Sequence, residues 1–160
     1  MNNQLLVEAL ENEVDKKAEQ AKLRGRILDL EAAMLAQPEH LIHIEPKHYF
    51  ADNLYAREIT IPKGVTLTGH IHKTEHFCVL SKGKVSVYTE DGIKTLEASS
   101  VVHSLPGTKR VLFAHEDSVW INFHHNPTNE KDLEKIDQIF VVEKFEELEN
   151  LEPKKLEGDI

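Results

Sequence analysis

With 160 residues, 40% of them hydrophobic, and a net charge of −9, the chain has the size and composition of one acidic globular domain. No apolar run reaches the 18 residues of a membrane span, and the mixed acids and bases after Asn2-Asn3-Gln4 are unlike a signal or transit peptide. The single cysteine, Cys78, excludes an internal disulfide framework, and the negative charge opposes nucleic acid and anionic lipid as partners, so a cytoplasmic protein is expected.

Residues 3–36 read as a helix, with no proline, one glycine and many Leu, Ala, Glu, Lys and Arg. Leu23, Ile27, Leu30 and Met34 form an apolar seam spaced four, three and four; Leu6, Leu10 and Val14 continue it loosely, and Pro38 stops it. At 1.5 Å per residue the helix reaches roughly 50 Å. Two readings of the seam stay open: self-association into a homo-oligomer, or folding back on the chain's own domain. From residue 40 the pattern changes to short runs rich in Val, Ile, Thr, Phe and Tyr, broken by turn signals such as Pro62-Lys63-Gly64, Glu90-Asp91-Gly92 and Leu105-Pro106-Gly107. Such spacing predicts an all-β sandwich or barrel, with Lys84 to Thr89 and Ile93 to Leu96 as its clearest hairpin. Beyond residue 128, Thr128 is positioned to cap a helix through Lys135. Ile139 to Val142 reads as a strand, Lys144 to Leu151 as a further helix, and Pro153 to Ile160 as a frayed end. From residue 129 onward 11 acids face 5 bases, which concentrates the negative charge in this extension.

The chemistry lies in the middle stretch, since all ten histidines fall between His40 and His125. On a strand, His70 and His72 share a face, and His76, beyond a turn at Lys73-Thr74, has the same parity. Three converging imidazoles suit a divalent first-row metal: iron, nickel, manganese, copper or zinc. The stretch from Gly64 to Gly83 resembles the first motif of the cupin superfamily: a glycine, five residues, His-x-His, three or four residues, Glu, six residues, glycine. Gly64, His70, His72 and Gly83 match, and His76 stands at the glutamate position; Glu75 competes for that position, but its parity turns it away. The second motif is met by Ser99 to Arg110. Gly107 fits, Pro106 is displaced by one, Ser99 replaces the first glycine, and Ala114 replaces the closing asparagine. Arg110 stands where the fourth metal ligand is expected, and a guanidinium does not ligate metals.

The resemblance covers roughly residues 50–125. It implies an antiparallel jelly-roll barrel over 41–126, which with the helical segment, 1–37, and the mixed, partly helical extension, 127–160, read above makes a mainly β fold. The stretches Tyr55-Ala56-Arg57-Glu58 and His124-His125-Asn126-Pro127 are also similar to small cupin-like proteins of phages and prophages, which implies a host-cytoplasm location if the chain is phage-encoded. The expected metal ligands are His70, His72 and His76, holding Fe, Ni, Mn or Zn. Arg110 either holds an anionic small molecule or pairs with Glu75 or another acid. Tyr55 and Arg57 share a face and either line the barrel mouth with it or meet solvent. His103 is a weaker replacement ligand, only one of His124 and His125 can reach the cavity, and Cys78 faces the interior as a small hydrophobe. Three functions follow: a metal- or small-molecule-binding module, a metal-dependent dioxygenase or isomerase, or an assembly protein joined through its helix.

Overall fold

A computed structural model describes residues 3–149; the side chains at 3, 5–7, 9, 10 and 149 lie outside that description. The Leu6 and Leu10 portion of the seam, the last part of the helix expected to reach Leu151, and the stretch from Pro153 to Ile160 therefore fall outside the described residues.

Alternation of apolar and polar residues dictates the strands. In Lys84–Thr89, Val85 and Val87 are buried while the residues between them are only partly so, the period-two pattern of a strand with one face on a core. Ten strands run through the middle of the chain: β1 (Lys47–Ala51), β2 (Leu54–Ile61), β3 (Thr66–Thr68), β4 (Ile71–His72), β5 (His76–Lys82), β6 (Lys84–Thr89), β7 (Gly92–Glu97), β8 (Ser100–Ser104), β9 (Val111–Ala114) and β10 (Ser118–His125). β2 pairs with β10, β3 with β9, β5 with β8 and β6 with β7, all antiparallel. Pairing early strands with late ones in nested order is a long hairpin rolled on itself, the jelly roll. The rolled strands form two sheets, ordered β1-β2-β10-β5-β8 and β3-β9-β6-β7. Ile61, Leu80 and Trp120 of the first pack against Val85, Leu112 and Ala114 of the second in one buried cluster.

Helix α1 (Asn3–Leu35) folds back on this body through its second half. Ile27 is buried, Arg24 pairs with Glu90 at the β6–β7 turn, and Glu31 accepts from Thr68 Oγ1 at 2.8 Å and from the buried Lys109 Nζ at 2.9 Å. Val14, further up the seam, stays 65% exposed.

The extension departs from expectation at its cap. Thr128 does not start a helix; α2 runs Leu133–Phe140 and is capped by Asp132, whose carboxylate accepts from the backbone N–H of Glu134 and Lys135. The chain after Thr128 is diverted by Asn129 at φ 51 and by mutual hydrogen bonds between Asn126 and Glu130. α2 buries Ile136 and Phe140 and leads directly into β11 (Val141–Val142), which pairs with β4; α3 (Phe145–Glu149) follows.

The motif positions explain themselves through backbone geometry. Gly83, between β5 and β6, has φ +87, and a Cβ there would stand 2.6 Å from the Asp117 carbonyl oxygen. Ser99, in the place of a motif glycine, is held at φ 73, a conformation costing an L-residue about 1–2 kcal/mol. Gly83→Ala is therefore expected to destabilise the fold by about 2–5 kcal/mol, from backbone strain plus overpacking. Ser99→Gly should instead stabilise it by about 1 kcal/mol. Chemical denaturation of the two variants beside the parent checks both signs.

Candidate functional site

The inward rows of three neighbouring strands build the site in layers. Side chains two apart share a face, so β10 turns Ser118, Trp120, Asn122 and His124 toward the interior. Trp120 lies opposite Leu80 and Ile59, Asn122 opposite Cys78 and Arg57, and His124 opposite Tyr55. The rows thus run from apolar at one end to polar in the middle and aromatic at the other. β5 starts on the buried His76 at that aromatic end, and β4 delivers the buried His72.

His72, His76 and His124 converge there. Their ring centroids are 4.2 Å (72–76), 5.1 Å (72–124) and 4.5 Å (76–124) apart, and each can offer a ring nitrogen such that all three atoms lie within 4.8 Å of one another. Nδ1 of His72, Nε2 of His76 and Nδ1 of His124 are buried without a hydrogen-bond partner among the described residues. Buried polar atoms are nearly always paired, so three unpartnered ring nitrogens on adjoining rings make this group the candidate site. His76 Nδ1 sits 3.2 Å from the Thr74 carbonyl oxygen. A carbonyl only accepts, so Nδ1 carries the proton and the Nε2 lone pair is left free, the arrangement that orients a ligating imidazole. Burial is the main cause of lowered basicity in all three, with neighbouring imidazoles and Arg110 or Arg57 adding to it. His72 is pushed down to about 2, His124 to about 3 and His76 to about 4. All three are therefore neutral at pH 7, the form that binds metals.

The C-terminal extension closes over this group. Val141 lies opposite His72 in the β11–β4 ladder, and Lys73 N–H donates to the Phe140 carbonyl at 2.8 Å. The Phe140 ring stacks on His124 at 4.5 Å and on Tyr55 at 5.9 Å. Tyr55 is buried against His124, with its hydroxyl 2.8 Å from His48 Nδ1, and burial raises its phenol to about 12. From the other side, the Gly107 N–H donates to the His72 carbonyl at 2.9 Å, in a turn that holds Gly107 at φ +81.

His70 is not part of the three-imidazole group. The parity argument assumed an unbroken strand, but β3 ends at Thr68 and β4 begins at Ile71, so the two-residue rule does not carry across Gly69-His70. The His70 ring is exposed at the rim of a cavity of about 240 Å³ that also touches Arg57, His72, Arg110 and Asn122. The surrounding wall lowers its basicity, by burial first and the Arg57 charge second. His124 takes the third position instead; it is the member of the His124-His125 pair that points inward, while His125 is exposed.

Arg110 is buried inside the roll and does not pair with Glu75, which is exposed and bonded to His103 at 3.0 Å. Its terminal nitrogens donate to Cys78 Sγ at 3.1 Å and Ser104 Oγ at 2.7 Å, and its guanidinium lies 5.8 Å from the Trp120 ring centre. The outward-facing His103 is outside the three-imidazole group. Of the three expected ligand-holding residues, Arg110 and Arg57 reach one cavity, whereas Tyr55 lies behind His124.

The topology and site together define a jelly-roll β protein with a buried tri-imidazole pocket. Among similar solved structures, KdgF from Halomonas sp. is 17% identical with a TM-score of 0.47, over 57% of this chain and 83% of that one. An RmlC-like cupin from Shewanella frigidimarina is 18% identical, TM-score 0.45, over 52% and 76% of the two chains. A cupin-2 domain containing protein of the same organism is 12% identical, TM-score 0.44, over 55% and 86%. At these values the likeness concerns the arrangement of strands and carries nothing about chemistry. No protein-family model matches the sequence, and no curated protein matches it. Among the described residues, no helix is long and apolar enough to cross a membrane.

The buried imidazoles make stability pH-dependent. In the unfolded chain they take up protons below about 6.5, whereas in the fold they resist protonation down to about 2–4. The unfolded state then binds more protons, so stability is full above pH 6.5 and falls as pH drops through the interval to about 4. Metal-free protein should lose more than about 1 kcal/mol per pH unit between pH 6 and 4. His124→Gln should flatten that slope in urea titrations run at several pH values.

Proposed function

We propose that this protein is a metal-binding cupin in which His72, His76 and His124 hold one divalent transition ion beside a cavity for a small molecule. The observation that carries this reading is the set of three buried, uncharged imidazoles that can each offer a ring nitrogen within 4.8 Å of the others, each ring also having one buried nitrogen without a partner among the described residues. An all-nitrogen set of this kind suits iron, nickel, copper or zinc better than calcium or magnesium. A bound ion would supply Lewis-acid polarisation of an oxygen ligand, or redox chemistry if it is iron. The protein's own share is to keep the imidazoles neutral, to fix the His76 tautomer through Thr74, and to cover the group with Phe140. An enzyme built on the same ion, a dioxygenase or isomerase, is the next step this arrangement would support.

Elemental analysis of protein purified without a histidine tag tests it. About one transition ion per chain is expected, with affinity lowered tenfold or more in His124→Ala and little changed in His70→Ala. Protein that is metal-free and cannot be reloaded, or equal losses in both variants, would overturn it.

A further inference from the structure

The 240 Å³ cavity beside His72 has a composition the metal reading does not use. Its polar wall carries two guanidinium groups, Arg57 and Arg110, with His70 and Asn122, and no carboxylate lines it. Its remaining wall is apolar, formed chiefly by Ile42, Ile59, Leu67, Leu112 and Trp120. Buried charges are normally paired. Arg110 is only 6% exposed, its two terminal nitrogens are turned to the neutral acceptors Cys78 and Ser104, and its Nε–H is buried with no partner among the described residues. Arg57 forms no ion pair among the described residues. Two cations, one of them carrying an unpartnered buried donor, and an apolar wall therefore line one small space.

We infer that this cavity binds a small organic carboxylate, its carboxylate held between Arg57 and Arg110 and its apolar body against Trp120 and the aliphatic wall. The planar guanidinium fork matches a carboxylate, and a carboxylate beside Arg110 gives that buried cation the counter-charge it has from no ion pair among the described residues. A bare inorganic anion would leave the apolar wall without a partner. The volume lies below the roughly 300–1,000 Å³ of drug-sized sites, which selects a compact acid. The inference deepens the function proposed above by naming the ligand class of the cavity adjoining the metal.

Calorimetric titration of the full chain with hexanoate and with benzoate, against hexanamide, benzamide and inorganic phosphate, tests it. At least one carboxylate should bind ten times or more tighter than its amide and than phosphate. Arg57→Gln, a change at a half-buried side chain, should weaken that binding tenfold or more, with Arg57→Lys restoring part of it. Because replacing Arg110 endangers folding, its part is read in the parent protein, where the Arg110 Nε–Hε resonance should shift on saturation with the acid. Equal affinity for acid and amide, tighter binding of phosphate, no binding of either carboxylate, or an unmoved Arg110 resonance would each overturn the inference. Running the titrations on metal-loaded and metal-stripped protein separates the two readings. Binding that needs Arg57 but survives stripping upholds the carboxylate site whatever becomes of the metal, whereas binding that needs only the metal overturns it.

Discussion

Three imidazoles crowded into one pocket are tolerable only while they carry no charge. Two like charges about 4 Å apart repel by about 4 kcal/mol even at an effective dielectric of 20, and His72, His76 and His124 have ring centres 4.2–5.1 Å apart. The rest of the site is arranged around that constraint. Phe140 of the extension and Tyr55 of β2 both stack on His124. Arg57 and Arg110 stand close enough to oppose protonation further. The group is thus poorly suited to holding protons.

Placement of the three rings depends on β10. As the strand between β2 and β5, it registers Trp120 and Asn122 against both neighbours and His124 against Tyr55 of β2, so each defines a layer. The Trp120 layer is the apolar floor and the His124 layer is the pocket. Between them, Asn122, Cys78 and Arg57 form the polar step into which Arg110 projects from the opposite sheet. One strand with a strict two-residue period therefore sets the spacing between the metal candidate and the cavity floor.

The acidic extension, which composition alone would leave as an appendage, is part of the site. β4 is two residues long, too short to hold His72 by itself. β11 supplies its strand pairing, and the Gly107 N–H donates to the His72 carbonyl. The second half of α1 braces the far wall through Glu31, which meets Thr68 and Lys109 where β3 and β9 adjoin the cavity.

Much of this was legible in the sequence. Period-two runs and glycine-marked turns predicted an antiparallel β body after a long helix, and the motif glycines stand where positive φ is required, at Gly64, Gly83 and Gly107. His72, His76 and Arg110 were legible as chemistry because of their residue types and spacing, and the inward partner of the His124-His125 pair was foreseeable as one of two. What spacing could not show was that the strand breaks at Gly69-His70, which removes His70 from the group, or that β10 brings His124 in across 48 positions of chain. Nor could local patterns reveal that Val141 pairs beside His72 and that Phe140 covers His124. Periodicity reports which face a residue takes along its own strand. Which strands become neighbours is settled by the sheets burying their apolar faces against each other, and the metal candidate exists only where those neighbours meet.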